Sequence, residues 1–460
     1  MRLIKTIWIC GAFCGLMGFA IAQKQEPPRG GIPKDFEISK AKTFTLDNGL
    51  KATLVHYGNL PKVNVRIVVR SGNLNEAEKE VWLADLMGDL IKEGTKTRTS
   101  DQISEQVAGM GGTLSVDVGS DLTTFGSDVL SEFGPDLVAL LADVVQHPLF
   151  PESEVARLKR DMLRNLSIAK SQPGQLAQEK FLKVLYPDHP YGRMFPSPEM
   201  VASYTASKIR TFYDSNFGAQ RCHVYVAGRF DEKTVGNAIR TAFASWSKGP
   251  EPLISPPKPS TNRKVWIVDR PGAPQSTLYI GLPVIDASHK DYVRLLVTNS
   301  LLGGSFASRI TSNIRENKGY TYSPYSMISG RYRDAYWLEV ADVGTEVTAP
   351  ALKEILYEID LLRKEPPSKE ELQGIQNYMA GVFVLRNSDR GGIIGQLSFL
   401  DLHGLDRSYL TNYVGNVHAV TPEDVRRITE ACLKDKEMVI VIAGDKKKIL
   451  KSVSAFGPVE

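Results

Sequence analysis

Histidine and cysteine are scarce in this chain. Its 460 residues include seven histidines, and the closest two, His403 and His418, are 15 positions apart. Because residues share a helix face when they are three or four positions apart, no helix here can present two histidines to a metal ion. The four cysteines are too few for a disulfide scaffold, so large hydrophobic cores are expected to stabilise the chain.

A large excess of charge is also missing. The chain has 56 basic and 52 acidic residues and a net charge of +4. This small surplus excludes the basic footprint typical of nucleic-acid-binding proteins. With 42% hydrophobic and 23% charged residues, the composition is that of an ordinary globular protein. The length exceeds what one hydrophobic core usually serves, so we expect two or more domains.

One long hydrophobic run lies near the N-terminus. Arg2 and Lys5 precede an apolar stretch that ends in Ala20-Ile21-Ala22. This pattern predicts a secretory signal peptide over residues 1–22, followed by a Pro/Gly-rich leader over 23–40. The alternative is an uncleaved membrane anchor, for which the run is short. We therefore expect an exported protein, periplasmic or secreted, with no membrane span after cleavage.

Two cysteines, Cys222 and Cys432, remain beyond the predicted signal peptide. In an exported protein they could form a disulfide bond. Two buried free thiols are the simpler interpretation, because free cysteine behaves as a small apolar residue.

Alternating and helical hydrophobic periods predict a mixed α+β structure. Strands are predicted at 44–56 as a hairpin about Asn48-Gly49, and at 63–70, 114–118, 123–130, 222–227, 264–269 and 276–285. Helices are predicted at 76–93, from Thr99-Ser100 to about Gly109, and at 135–146, 152–171 and 231–247.

The pattern begins again after a linker. Residues 248–263 contain five prolines, which predicts an extended surface segment. Three short matches recur 216 positions apart, namely Pro151-x-x-Glu154 with Pro367-x-x-Glu370, 205–209 with 421–425, and 226–228 with 442–444. The constant offset predicts two copies of one α+β unit, a first domain at 41–247 and a second at 264–460.

The stretch 301–325, LLGGSFASRITSNIRENKGYTYSPY, carries a resemblance to a known family. Its local pattern predicts a Gly303-Gly304 break, a helix from Ser305 to Asn317, a stop at Gly319 and a strand from Tyr320. Gly-Gly-Ser-Phe-x-Ser-Arg followed by Asn-Ile-Arg-Glu-x-Lys-Gly-Tyr-x-Tyr resembles the second-half signature of the insulinase, or pitrilysin-type (M16), metallopeptidases. The resemblance implies two homologous α+β domains that face each other across a peptide-holding cavity.

The residues that bind zinc in active members of that family are replaced. Those members carry His-x-x-Glu-His on a helix that leads into Gly-Thr, and a more distant glutamate. The equivalent positions before Gly94-Thr95 hold Asp85, Gly88 and Asp89, and Asn165 takes the place of the distant glutamate. Because the general base is missing as well as the ligands, the chain alone is expected to bind no zinc and cleave no peptide.

Asp85 and Asp89 still share a helix face, and two carboxylates could hold Ca²⁺ or Mg²⁺. The alternative is that they are solvated or paired with a neighbour such as Lys92. We favour this alternative because no further oxygen ligand can be placed. A self-sufficient peptidase with unusual ligands at these positions is a further, less favoured hypothesis.

The resemblance carries an arginine and a tyrosine that contact the bound peptide onto Arg315 and Tyr322, with Tyr320 beside them. A guanidinium can hold peptide carbonyl oxygens, and a phenol can donate to a developing oxyanion. The alternative is a solvated helix charge beside ordinary strand aromatics. The surrounding glycines and Ser308-Arg309 favour the functional interpretation.

The resemblance also identifies a peptide-binding edge strand in the first half. It comprises Leu114, Ser115, Val116, Asp117 and Val118. Polar residues at alternate positions suit an exposed edge to which an extended peptide adds as a strand. They suit equally an edge that is merely protected from pairing.

Loss of the zinc motif together with retention of the arginine and tyrosine resembles the non-zinc subunit of two-chain M16 peptidases. The resemblance implies a heterodimer in which a zinc-bearing partner supplies the metal and this chain helps bind a peptide or unfolded protein. The alternative is a catalytically inert scaffold or peptide-binding homologue.

Overall fold

The computed structural model describes residues 40–460. The predicted signal peptide, and all but the last residue of the predicted leader, lie outside these residues. Among the described helices, none is both long and apolar enough to cross a membrane.

Eleven strands form two sheets in the described chain. The strands are β1 (Ala41–Thr45), β2 (Lys51–His56), β3 (Lys62–Val69), β4 (Ser115–Val118), β5 (Thr123–Leu130), β6 (Cys222–Gly228), β7 (Lys264–Asp269), β8 (Gln275–Val284), β9 (Tyr325–Arg331), β10 (Asp334–Gly344) and β11 (Val439–Gly444). The first sheet has the order β1-β2-β6-β3-β5-β4, and the second has the order β7-β11-β8-β10-β9.

Helices cover the sheets. They are α1 (Leu83–Leu90), α2 (Ser100–Gly109), α3 (Gly134–Gln146), α4 (Glu152–Ser171), α5 (Pro173–Leu185), α6 (Pro198–Ala202), α7 (Ala206–Asn216), α8 (Glu232–Phe243), α9 (Tyr292–Asn299), α10 (Thr348–Lys364), α11 (Lys369–Arg386), α12 (Arg390–His403), α13 (Ser408–Thr411), α14 (Tyr413–His418), α15 (Pro422–Cys432) and α16 (Lys446–Val453). Two π-helical segments, Ser300–Gly304 and Thr311–Asn317, lie between α9 and β9.

The two sheets repeat one topology. The parallel pair β2–β6 corresponds to β7–β11, and the antiparallel series β6-β3-β5-β4 corresponds to β11-β8-β10-β9. Thr205 and Thr421, 216 positions apart, each cap a helix of 11 residues through the side-chain oxygen. The predicted internal repeat and the α+β fold class are therefore confirmed.

Helix α1 begins later than its hydrophobic period predicts. The prediction began at Glu76, whereas the helix begins at Leu83, after Trp82 with a left-handed φ of 67°. Glu76 is buried, and its carboxyl group accepts a hydrogen bond of 2.9 Å from the backbone N–H of Ala84. The residues before α1 thus form a turn that brings a carboxyl group to the first amides of the helix.

The stretch 301–325 also departs from its predicted boundaries. Ser308, rather than a residue near Ser305, caps the second helix, because its hydroxyl accepts a hydrogen bond of 3.4 Å from the N–H of Thr311. Gly319, with φ of 65°, ends that helix as predicted. The strand begins at Tyr325 rather than Tyr320, immediately after Pro324.

Each half lends one helix to the sheet of the other half. From the first half, α5 buries Ala177, Phe181 and Leu185 against the second sheet. Phe181 lies directly on that sheet, with its ring centroid 5.6 Å from that of Tyr336. Gly281 makes room for the ring, since a Cβ there would lie 2.8 Å from Phe181 Cζ.

The equivalent helix of the second half packs on the first sheet. From α12, Ile393, Ile394 and Leu397 join a buried cluster with β-strand residues that include Val55 and Val68. Because α5 and α12 occupy corresponding places in the two copies, the exchange is reciprocal. Each sheet face would be exposed without the other half.

Polar contacts close the same interface. The Arg390 guanidinium donates to the Asp128 carboxylate at 2.7 and 3.2 Å. The Tyr57 hydroxyl donates to the Asn387 carbonyl oxygen at 2.7 Å, and the buried Tyr186 hydroxyl donates to the Asp334 carboxylate. The hydrogen bonds to the Asp128 and Asp334 carboxylates are charge-assisted and directional. They therefore help fix the orientation of the two halves, which apolar packing alone does not determine.

Cys222 and Cys432 are both free, as predicted, but Cys432 is only partly buried. Cys222 is buried at the start of β6, and burial raises the pKa of its thiol. The thiol is therefore a packed, unreactive group at neutral pH.

The exchange predicts that the two halves unfold together. Phe181→Ala should lower the free energy of unfolding by about 3–5 kcal/mol and Ile394→Ala by about 2–5 kcal/mol, because each empties a buried contact between the halves. Urea denaturation should show one transition that shifts in both variants. The exposed Ile168→Ala on α4 is the control, with a change within about 0.5 kcal/mol. Two separate unfolding transitions, of which only one shifts in each variant, would contradict the reciprocal exchange of α5 and α12.

Candidate functional site

Helix α1 carries the positions at which the resemblance implies metal ligands. Asp85 is half-buried, and its carboxylate accepts a hydrogen bond of 2.7 Å from the Asn73 amide. Burial raises the pKa of Asp85, and the nearby Asp89 carboxylate raises it further, while the bond from Asn73 acts in the opposite direction. Asp89 is exposed and forms an ion pair of 3.0 Å with Lys92. The two carboxylates therefore have separate protein partners.

Gly88, between them, has no room for a side chain. A Cβ at Gly88 would lie 2.6 Å from Val118 Cγ2 and 3.7 Å from Val116 Cγ1, on edge strand β4. The strand side chains fill the space into which a glutamate at this position would extend. The position that corresponds to the general base is thus closed by packing.

The remaining degenerate position does not supply a ligand set. Asn165 is exposed on α4. Across residues 40–460, no group of three or more histidine, cysteine, aspartate or glutamate side chains is placed to hold a metal ion. Since structural and catalytic zinc sites need three or four such ligands, the residues present do not fit zinc.

The carboxyl group of Glu76 is buried beside α1, and the sequence did not identify it as a site residue. Asn73 donates both to Asp85 and, at 3.2 Å, to Glu76. Burial raises the pKa of Glu76 to about 8, against the lowering effect of the hydrogen bonds that it accepts. Glu76 is therefore largely protonated at neutral pH, although in sequence it looks like any acidic residue at a helix start.

In the second half, Arg315 lies between two exposed aromatic rings. Its guanidinium carbon is 4.4 Å from the centroid of the Phe306 ring and 5.0 Å from that of Tyr322. The side chains of Phe306 and Tyr322 are 71% and 80% exposed. We call these three residues the Arg315 stack. Cation–π contacts hold the guanidinium plane while leaving its edges free for hydrogen bonds.

Arg315 has one carboxylate neighbour. Its Nε atom lies 3.3 Å from the exposed Glu316 carboxylate, whereas its two terminal nitrogens donate no hydrogen bond within residues 40–460. These two nitrogens are therefore available to carbonyl oxygens of an extended peptide, next to the exposed Tyr322 ring.

Local structure fixes the position of the Arg315 stack. Arg315 lies in the π-helical segment Thr311–Asn317, a conformation that is rare and frequent at functional sites. Nearby, Arg309 anchors the segment through a two-pronged ion pair with Glu371 on α11, at 2.7 and 2.8 Å.

The two predicted tyrosines have different environments. Tyr320 packs against the second hydrophobic core, and its N–H donates to the Ile314 carbonyl at 2.8 Å. Tyr320 is half-buried, whereas Tyr322 is exposed beside Arg315. Phe306, which was not predicted as a site residue, takes the second place in the stack. Its position in the Gly-Gly-Ser-Phe motif was the available signal.

The predicted peptide-binding strand of the first half is an edge strand. β4 pairs with β5 on one side only, in register Ser115 to Gly126 and Asp117 to Thr124. Val116 and Val118 point toward the first core and α1, while Ser115 and Asp117 are exposed on the other face. Leu114 precedes the strand and packs against the same core.

Family models match both halves. The model described as insulinase (peptidase family M16) matches residues 53–199, and the model described as peptidase M16 inactive domain matches residues 203–379. The chain belongs to peptidase family M16.

Curated relatives of this M16 protein are named as zinc proteases. An uncharacterized zinc protease of Rickettsia bellii is 28% identical over 313 residues, which are 66% of this chain and 72% of that protein. One from Streptomyces coelicolor is 22% identical over 437 residues, covering 93% of this chain and 94% of that protein.

Solved structures show the same fold. A peptidase M16 inactive domain from Pseudomonas fluorescens superposes with a TM-score of 0.81 at 24% identity, over 88% of this chain and 98% of that one. A protease from Helicobacter pylori gives a TM-score of 0.82 at 20% identity, over 89% and 100% of the two chains.

The packing of Gly88 predicts a specific loss of stability. Gly88→Ala should lower the free energy of unfolding by about 1–3 kcal/mol, because the added methyl overlaps Val118. In a Val118→Ala background the same substitution should cost much less. Gly381, on α11 with open space around it, is the control, since Gly381→Ala should stabilise the chain by about 0.5–1 kcal/mol. Equal effects of Gly88→Ala in both backgrounds, measured by chemical denaturation, would contradict the overlap.

The Glu76 carboxyl predicts a pH dependence of stability. Its pKa rises from 4.5 to about 8 on folding, so the folded state retains a proton that the unfolded state has lost. Stability from this group is present at low pH and is lost as pH rises toward about 8. Glu76→Gln should flatten the dependence of unfolding free energy on pH between about 5 and 8, and the exposed Glu78→Gln should not. Parallel profiles for Glu76→Gln and the unmodified chain would show that Glu76 carries no raised pKa.

Proposed function

We propose that this M16 protein is the non-zinc subunit of an exported two-chain metallopeptidase. It helps bind an extended peptide and completes the active site of a zinc-bearing partner. The contrast between the two halves carries the proposal. In the first half, Val118 packs against Gly88 at the position of the general base, while the second half presents the exposed Arg315 stack.

The partner supplies what this chain lacks. In the proposed heterodimer it brings the His-x-x-Glu-His ligands, the zinc ion and the general base. This chain brings a fixed cation and a phenol. An arginine held by two rings in advance loses little side-chain freedom when it binds a peptide carbonyl, which favours its use in positioning.

The substrate class follows from the same groups. The free guanidinium nitrogens suit backbone oxygens, which every extended peptide offers, and the two exposed rings suit apolar side chains. We therefore propose peptides or unfolded proteins as substrates. Export to the periplasm or the exterior is proposed from the predicted signal peptide over residues 1–22.

The proposal predicts activity that depends on the partner and on the Arg315 stack. The purified chain should show no peptide cleavage alone, and addition of a zinc-bearing M16 chain from the same host should produce it. Arg315→Ala should reduce kcat/KM of the complex by about 10²-fold or more, and Tyr322→Phe should reduce kcat, because both remove donors near the reacting carbonyl.

Lys318→Ala is the matched control, since Lys318 is an exposed cation near the end of the same helix and should leave kcat/KM unchanged. A stable complex whose cleavage is unaffected by Arg315→Ala and Tyr322→Phe would instead identify a scaffold.

A further inference from the structure

A cavity of about 390 Å³ lies among helices of the second half. Residues of α9, α11, α12, α13 and α14 contribute to its walls. Sites for small molecules are typically clefts of roughly 300–1,000 Å³, lined by apolar and aromatic side chains with a few polar groups. Among the described residues that line this cavity, none belongs to the Arg315 stack, so the cavity is a separate feature of the second half.

Aromatic rings form one continuous wall of the cavity. The rings of Phe383 and Tyr413 are stacked, with their centroids 4.2 Å apart. The Tyr409 ring follows, 6.2 Å from Tyr413 and 5.8 Å from Phe399. Because aromatic rings offer large apolar faces and favour offset or edge contacts with other rings, this wall suits an aromatic group of a ligand.

Three tyrosines of the cavity have no protein partner for their hydroxyls. Tyr292, Tyr409 and Tyr413 all line it, and within residues 40–460 none of their hydroxyls forms a hydrogen bond. We call this space the tyrosine cavity. Elsewhere in the chain, the buried Tyr204 and Tyr213 donate to backbone carbonyls at 2.7 and 2.6 Å. Since buried polar groups normally have partners, three unpaired hydroxyls in one cavity indicate a ligand with oxygen atoms.

The three phenol groups interact electrostatically with one another. Burial raises the pKa of Tyr409, and the neighbouring Tyr292 and Tyr413 raise it further. Burial also raises the pKa of Tyr413 to about 12, while the positive charge of Arg386 acts in the opposite direction. The hydroxyls are therefore neutral at physiological pH, and each can donate a hydrogen bond to a ligand.

Arg386 makes the tyrosine cavity positively charged. It lies in the last turn of α11, lines the cavity and is exposed. Its guanidinium forms no ion pair with any residue that the structure describes, and the described residues that line the cavity include no aspartate or glutamate. An arginine with free nitrogens binds a carboxylate through two parallel hydrogen bonds. The charge and the hydroxyl donors thus both favour an anionic oxygen group.

We propose that the tyrosine cavity binds an aromatic carboxylate, with the ring of the ligand against the aromatic wall and its carboxylate oxygens held by Arg386 and the tyrosine hydroxyls. A free aromatic acid and the C-terminal aromatic residue of a peptide share this chemistry. The site goes beyond the proposed peptidase function and uses none of its residues.

Isothermal titration calorimetry with the chain alone tests the charge of the ligand. The probe is N-acetylphenylalanine, and its uncharged counterpart is N-acetylphenylalanine amide. Arg386→Gln should weaken binding of the acid by about tenfold or more, because a charge-assisted contact is lost. The amide should bind the unmodified chain and Arg386→Gln equally weakly. Arg407→Gln is the matched control, since this exposed arginine lies two positions before Tyr409 but does not line the cavity.

The hydroxyls and the aromatic wall are tested in the same assay. Tyr409→Phe should weaken binding of the acid by about threefold or more, because it removes one donor and keeps the ring. Tyr357→Phe, at an exposed tyrosine of α10, is the control and should leave binding unchanged. N-acetylalanine, which keeps the carboxylate and lacks the ring, should bind about tenfold more weakly or less. Thermal unfolding verifies that each variant is folded.

A peptide that ends in phenylalanine distinguishes the two sources of the ligand. Binding of this peptide at least as tight as that of N-acetylphenylalanine would identify a peptide C-terminus. Binding of the free acid alone would identify a small aromatic acid. Either result supports the site, provided that Arg386→Gln abolishes the preference for the carboxylate.

Three results would overturn the inference. They are no binding of either carboxylate at millimolar concentration, equal affinity for the acid and its amide, or an affinity that Arg386→Gln and Tyr409→Phe leave unchanged. Because no partner chain and no cleavage are involved, these results are independent of the assay for the proposed function. Failure here with intact Arg315-dependent cleavage would reject the tyrosine cavity alone.

Discussion

The reciprocal exchange of α5 and α12 is the constraint on which the rest of the structure depends. Each sheet has one face on its own helices and the other face partly on a helix from the opposite half. A chain that kept only one half would expose an apolar sheet face to water. The two halves are therefore obligatory neighbours, whatever chemistry either of them carries.

The same exchange explains how a site residue in one half can stay fixed relative to the other. Phe181 and Tyr186 from the first half contact the strand β10, and Arg390 from the second half holds Asp128 on β5. These contacts are buried or charge-assisted, so they resist hinge motion between the sheets. The proposed binding of a peptide at the Arg315 stack would then require little rearrangement of the scaffold, so little conformational entropy would be lost on binding.

Local chemistry made part of this structure predictable. The turn at Asn48-Gly49, the threonine caps and the 216-residue offset can each be recognised in a short stretch of sequence. The structure contains each of them. Interactions between distant residues were not predictable in this way. The spacing of hydrophobic residues along α5 shows that the helix has an apolar face. It does not show that this face packs on the sheet of the other half. Likewise, nothing local reveals that Glu76 reaches the start of α1, or that Phe306 stacks on Arg315.

The packing around Gly88 has a counterpart in the second half. In the first half, Gly88 lets α1 approach the edge strand β4 so closely that a Cβ would meet Val118 at 2.6 Å. In the second half, Gly303 lets the end of α9's helical continuation approach β9 equally closely, since a Cβ would meet Ser326 Oγ at 2.6 Å. Both halves thus use one glycine-mediated contact between a helix and an edge strand. A glutamate at position 88 would therefore require the edge strand to move, and a zinc site on this helix would need that movement as well as suitable ligands.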